Sequence, residues 1–255
     1  MFAKLLKYEF KSVGKWYLAL YALVLAIAIV VGFWLRSNVI RAETSEISNA
    51  EATLLGFVMF AFAAILITIG ISTLFLIVNR FRHNIYGRQG YLTMTLPVSA
   101  HHLILSKLVT ALLWSLLAAI VAILSLLVAF SISGIDEFFG AYTFVTELTD
   151  IPSILQYGFA QFVSTVHSIL LIYFSISIGQ LFKDYRTLMA FIAYFSISSI
   201  VGIISSLFYL SELETLYGSS FSILPNPILT FLSILLAFGY YFGTHYIMSK
   251  KLNLQ

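Results

Sequence analysis

Six long apolar runs dominate this chain, at 16–35, 54–78, 108–132, 154–182, 188–210 and 225–248. About 20 consecutive apolar residues are enough for a helix to cross the hydrocarbon of a bilayer, and each run reaches that length. Within lipid every backbone polar group must find a partner inside the protein, so a spanning segment is a helix or a strand of a closed barrel. Barrel strands alternate apolar and polar residues over roughly ten positions, whereas these runs are continuous. The expected fold class is therefore all-α, a polytopic membrane bundle of six transmembrane helices in a single domain, 1–255. Composition agrees: 60% of residues are hydrophobic and 10% charged, against about 25% charged in soluble domains. Membrane lipid is the main solvent of such a chain. The fourth run is long enough to cross at a tilt.

Charge sets the expected orientation. With the N-terminus inside, Lys4, Lys7, Lys11, Lys15, Arg80, Arg82, Arg88, Lys107, Lys183, Arg186, Lys250 and Lys251 lie on the cytoplasmic side, and only Arg36 and Arg41 lie outside. Lys and Arg favour the cytoplasmic face. The expected location is the bacterial cytoplasmic membrane, multi-pass, with both termini inside. The chain has no cysteine, which removes disulfides, thiolate metal sites and cysteine nucleophiles from consideration. The first run follows a lysine-rich stretch without a small-residue cleavage site, so it reads as a retained span.

Within 1–15, Lys4, Lys7, Lys11 and Lys15 recur at helical spacing and form one stripe, with Phe2, Leu5, Leu6, Phe10 and Val13 turned broadly away from it. This pattern predicts an amphipathic helix in the membrane interface that leads directly into the first span. It serves as a surface anchor, with or without docking a cytoplasmic partner.

The longest cytoplasmic connection, 79–107, has an ordered composition. A basic, aromatic stretch comes first. Gly87 and Gly90 permit a tight turn. The apolar run from Tyr91 to Leu96 can pack but is too short to span, Pro97 ends it, and Ser99 is placed to cap the next helix. Such a buried element between two spans suits insertion into a groove on a partner.

The phrase Gly90-Tyr-Leu-Thr-Met-Thr-Leu-Pro-Val-Ser99, followed by Leu105-Ser-Lys-Leu108, resembles the cytoplasmic loop of small ABC transporter permeases of the type-2 export class. The opening Leu5-Leu-Lys-Tyr-Glu-Phe-Lys11 resembles the start of the same permeases. With six spans and an N-terminal helix, the resemblance covers the whole chain. It implies a permease subunit of an ATP-driven exporter, paired with a separate ATPase and with a second permease, identical or related. It places ATPase coupling on Tyr86, Gly87, Arg88, Gly90, Tyr91, Leu92, Met94, Leu96 and Pro97. ATP and Mg are expected on the partner ATPase, with no cofactor bound by this chain and no nucleic-acid partner.

Other chemistry is not written in the sequence. There is no GxxxxGK[ST] phosphate loop and no HExxH zinc motif, so no catalytic or metal-binding residue is assigned. His101 and His102, being adjacent on a helix, point apart and read as interfacial. The centre of every span is free of Asp, Glu, Lys and Arg, which argues against a proton-driven carrier. His245 is expected to reach interfacial water, and His167, deeper, to bond a neighbouring helix. Gln161, Ser164, Thr165, Ser168 and Ser175 share one side of the fourth span; Gln161, Thr165 and Ser168 are the candidates for lining a pathway. Ser196, Ser199, Gly202 and Ser206 in the fifth span, and the Gly239/Gly243 pair in the sixth, read as close-packing faces. The alternatives to an export permease are an intramembrane enzyme using His167 with nearby hydroxyls, and a non-transporting membrane scaffold or receptor.

Overall fold

The computed structural model describes residues 2–44, 49–86, 99–134, 151–182, 184–215 and 225–250. These residues form helices, with no strand among them: α1 (Phe2–Thr44), α2 (Asn49–Phe81) continued by a π-helical turn (Arg82–Tyr86), α3 (Ala100–Ser133), α4 (Ile151–Gly179), α5 (Arg186–Thr215) and α6 (Pro227–Lys250). Each of the six contains a stretch long and apolar enough to cross a membrane. Large apolar side chains cover the surface, Trp16, Phe60, Phe75 and Phe231 among them. An exposed apolar surface of that extent has no stable contact with water and is the contact surface of a multi-pass membrane protein.

The helices outrun the apolar runs that nucleate them. At 1.5 Å per residue the 43-residue α1 is about 65 Å long, against a hydrocarbon core of about 30 Å. The segment expected as an interfacial helix leading directly into the first span forms the first turns of α1, and no non-helical residue separates it from the span. At the other end, α2 continues past Val78 to Phe81 and then widens into the π-turn, so the first eight residues of the connection expected from 79 are helical. The fourth span ends at Gly179 instead of Phe182, and the fifth helix extends to Thr215, into the loop expected from 211.

Helix starts follow local chemistry. Ser99 immediately precedes α3, its carbonyl accepts the Leu103 N–H at 3.3 Å, and its Oγ lies 2.6 Å from His102 Nδ1. The last span starts at Pro227, two residues later than expected. Asn226 Oδ1 accepts the Ile228 N–H at 2.7 Å. An Asn cap followed by proline at the first helical position uses the one place where a missing N–H costs nothing.

The chain divides into two compact units, Met1–Leu76 with Leu113–Leu148, and Ile77–Leu112 with Thr149–Gln255. In the first, Ala28, Val31 and Leu35 of α1 bury themselves with Phe62 of α2 and Ala129 of α3. Gly32 sets the separation of α1 from α3: a Cβ there would lie 2.9 Å from the Ala129 carbonyl oxygen and the same distance from Ile132 Cβ. Small residues at such contacts let helices approach closely enough for dispersion to hold them in lipid. Along the same face, Tyr17 donates to the Ser72 carbonyl at 2.6 Å and Tyr21 to the Trp114 carbonyl at 3.3 Å. The Trp114 ring is packed by Phe10, Tyr17 and Tyr21.

In the second unit α4 packs against both α5 and α6. More than half of its most apolar window, 56%, is buried, against 0% for that of α5. Gly179 brings the end of α4 onto the start of α5, where a Cβ would lie 2.5 Å from the Arg186 carbonyl oxygen. Tyr185, in the connecting turn, holds a left-handed φ of 56° and accepts the Met189 N–H at 2.9 Å, the first bond of α5.

Candidate functional site

Two features of the second unit concentrate its polar chemistry. One is a clasp between the π-turn and α4, the other a polar cleft between α4 and α6.

The clasp begins at Phe81, whose ring stacks on Tyr173 with centroids 3.9 Å apart and planes at 7°. Phe81 and Ile85 are fully buried. A π-turn inserts one residue into the helical ladder and rotates everything after it. Here it brings the Tyr86 hydroxyl within 2.7 Å of Ser177 Oγ. Ser177 has one proton and donates it to the Tyr173 carbonyl at 2.8 Å. Tyr86 is therefore the donor of the pair. Of the residues expected to couple to an ATPase, Tyr86 is the one inside the described structure. Gly87, Arg88, Gly90, Tyr91, Leu92, Met94, Leu96 and Pro97 lie outside it. Lys4 and Lys7 are described as helical backbone only, and Lys11 and Lys15 are exposed along α1.

The cleft opens where α4 and α6 begin side by side. It has a volume of about 230 Å³ and is walled by Tyr157, Gln161 and Ser164 of α4 and by Asn226, Thr230 and Ser233 of α6, with Ala160, Pro225 and Leu229 between them. Gln156 fastens the entrance by donating to the Pro225 carbonyl at 3.2 Å. The hydroxyls on α6 have committed protons: Thr230 donates to the Asn226 carbonyl at 3.0 Å and Ser233 to that of Leu229 at 2.9 Å. Both therefore present acceptor lone pairs. Among the described residues the wall carries no Asp, Glu, Lys or Arg.

The pathway candidates divide. Gln161 is exposed and lines the cleft. Thr165 is half-buried and turns its hydroxyl back to the Gln161 carbonyl at 2.8 Å. Ser168 is exposed and bonds the Ser164 carbonyl at 2.9 Å. Further along the same stripe, Ser175 is buried and bonds the Leu171 carbonyl. The polar stripe is thus open in its N-terminal half and closed in its C-terminal half.

His167 departs from expectation. Its Nε2 is buried without a hydrogen-bond partner, and its ring lies 5.4 Å from that of Tyr240 on α6. Tyr240, 6% exposed, likewise has a buried hydroxyl without a partner. A buried polar group left unpaired costs about 1–3 kcal/mol. The two groups belong to neighbouring rings on α4 and α6, and they do not bond each other.

The remaining histidines also differ from the sequence reading. His101 and His102 do point apart, but His101 stacks on His245 with centroids 3.8 Å apart and planes at 14°, and its Nδ1 lies 2.8 Å from the Tyr241 hydroxyl. His245 is therefore packed beneath His101 and not simply turned to interfacial water. Among the described residues no group of three or more His, Cys, Asp or Glu is placed to hold a metal ion. Lys107, placed at the boundary by sequence, is two turns inside α3 and 5% exposed. Of the small-residue faces, Ser196, Ser199, Gly202 and Ser206 on α5 are all exposed, so they are not a close-packed face among the described residues. In the glycine pair of α6, Gly243 meets the Phe174 ring, while Gly239 has open space beside it.

Compared with protein-family models, with curated proteins and with solved structures, the chain matches none.

Proposed function

We propose that the chain is the membrane-spanning permease subunit of an ATP-driven ABC exporter in the bacterial cytoplasmic membrane, with both termini cytoplasmic. The observation that carries this reading is the segment between α2 and α3. Its sequence from Gly90 to Ser99 resembles the coupling loop of type-2 export permeases, and Tyr86, the first of the residues assigned to coupling, is bonded to Ser177 at 2.7 Å. The ATPase binds and hydrolyses ATP, and this chain supplies the mechanical link. A push on residues 87–97 reaches Tyr86, then the Phe81–Tyr173 stack, then α4. Buried aromatic packing transmits displacement because it has little free volume to absorb it. The exposed part of the α4 stripe, Gln161, Ser164 and Ser168, cannot rest against hydrocarbon cheaply. It supports a pathway shared with a second permease. Six spans, the charge asymmetry and the absence of ionisable groups at span centres agree with a machine powered from outside the bilayer.

The test is Leu92→Asp with Leu96→Asp in the full complex. Both residues lie outside the apolar runs, so insertion of the chain is expected to persist while cargo-stimulated ATPase activity and transport are lost. A doubly substituted protein that assembles with its ATPase and transports normally would refute the coupling assignment.

A further inference from the structure

We propose that the groove between α3, α4 and α6 holds one acyl chain of a phospholipid whose phosphate lies at the His101–Tyr241–His245 cluster at the groove's end. The choice of leaflet, the cytoplasmic one, rests on the orientation proposed for the export permease; the binding itself does not.

The groove is a cavity of about 310 Å³. Phe162, Val166 and Leu170 of α4 and Ile234, Phe238 and Tyr241 of α6 form two of its walls, and α3 closes the third side with Leu105 and Leu108. Both α4 and α6 line it over two turns, so it runs along the helix axes for about 12 Å. No polar atom faces it among the described residues. An apolar cavity of about 150 Å³ inside a protein stays dry and takes up benzene. This one is larger and elongated, and Leu105, Phe162 and Phe238 at its border are exposed on spans whose neighbour is hydrocarbon. A slot parallel to the spans fits a chain that itself lies along them.

The second observation is the polar cluster at one end. Tyr241 lines the groove, while its hydroxyl lies 2.8 Å from His101 Nδ1. The His101 ring stacks on His245 at 3.8 Å. His101 precedes Leu105 by one turn and His245 follows Tyr241 by one turn, so both continue the walls of the groove toward the ends of α3 and α6. His101 and His102 are exposed. Residues 100–112 and 240–250 include Lys250 at the end of α6 and contain no Asp or Glu. This end of the groove is complementary to an anion.

Apolar lining alone selects nothing in lipid, because exchanging one hydrocarbon neighbour for another brings no hydrophobic gain. Selection needs both ends of the ligand. A phosphodiester that accepts a hydrogen bond from an imidazole tethers its own acyl chain at the groove, so that the second contact becomes intramolecular. A diacylglycerol brings the chain without the charge, and a soluble phosphate the charge without the chain. A phospholipid brings both, and its phosphate stays at the interface, level with the helix ends.

The test uses the full chain, purified in detergent, delipidated, and titrated with palmitoyl-oleoyl phosphatidylglycerol under native mass spectrometry. Saturable binding of one lipid per chain is expected. Palmitoyl-oleoyl glycerol, which lacks the phosphate, and dihexanoyl phosphatidylglycerol, whose chains are too short to fill the groove, are expected to compete poorly. His101→Phe keeps a ring against His245 and removes the nitrogens; it is expected to weaken binding about tenfold, the share of one hydrogen bond to a charged group. Val166→Phe puts a ring into the groove and is expected to weaken binding severalfold. Leu235→Phe, exposed on α6 outside the groove, is expected to change nothing. Thermal unfolding of each variant identifies those that fold. The proposal is overturned by a folded chain that takes up lipid after lipid without saturation, the behaviour of adventitious annular lipid. Equal competition from palmitoyl-oleoyl glycerol, or unchanged binding in both folded variants, His101→Phe and Val166→Phe, would overturn it too. An ATPase partner in a chain that binds no lipid would refute this site alone. Saturable binding in a chain whose Ser249→Cys variant is labelled by an impermeant maleimide in intact cells would refute the cytoplasmic orientation alone.

Discussion

The bond from Tyr86 to Ser177 can be isolated by a pair of substitutions, because the hydrogen positions are fixed by counting. Ser177 gives its proton to the Tyr173 carbonyl at 2.8 Å, so its oxygen receives the Tyr86 hydroxyl at 2.7 Å. Tyr86→Phe keeps the edge contact with the Phe81 ring, whose centroid is 6.0 Å away. It removes one donor and leaves Ser177 with its own bond intact. Hydrogen bonds inside membrane proteins average about 0.6 kcal/mol and reach about 1.7; a fully buried serine and a short distance place this one near 1 kcal/mol. Ser177→Ala is worse, because it strands the phenol proton away from water, at about 1–3 kcal/mol. Removing both groups leaves nothing unpaired, so the double variant should be more stable than Ser177→Ala alone. The assay is equilibrium unfolding in mixed micelles titrated with dodecyl sulfate, followed by tryptophan fluorescence. A coupling of about 1 kcal/mol is expected from the double-mutant cycle. If the two losses simply add, the bond does not exist in the folded protein and the route from loop to α4 loses its first link.

Two further substitutions probe the packing. Gly32→Ala should destabilise by about 1–3 kcal/mol, the range for overpacking, because one obstacle is the Ala129 carbonyl oxygen at 2.9 Å, which moves only if α1 and α3 separate; thermal unfolding in nanodiscs would show it, and an unchanged midpoint would refute the close approach. Tyr185→Gly should stabilise the turn into α5 by about 0.5–1 kcal/mol, since a left-handed φ costs an L-residue about 1–2 kcal/mol and glycine's greater unfolded entropy returns part of that; a lower midpoint would mean that the exposed ring is held by a contact.

The spans were legible because lipid demands apolarity, and the runs 108–132 and 225–248 fall within or close to α3 and α6. Ser99 was legible as a cap because its position before an apolar run is local chemistry. The helix ends were not, since outside hydrocarbon a helix needs no apolar residue, and α1 continues through Arg36 and Arg41. The turn at Arg82–Tyr86 left no mark because α- and π-helical turns draw on the same residues. The polar stripe on α4 was visible in the spacing of Gln161, Ser164 and Ser168. Its opposing wall, Thr230 and Ser233, was not, because nothing in either sequence segment states which helix the other meets. His101 and Tyr241, 140 positions apart, are joined only by the fold, and so are His167 and Tyr240.

The central claim is that this chain works with a separate ATPase, and the most direct measurement is purification of the tagged chain from its native membrane in nanodiscs, with mass spectrometry of what remains bound. The export reading predicts a soluble ATPase in stoichiometric amount, together with a second permease chain, the same or related. An intact, folded chain that repeatedly purifies alone would contradict it.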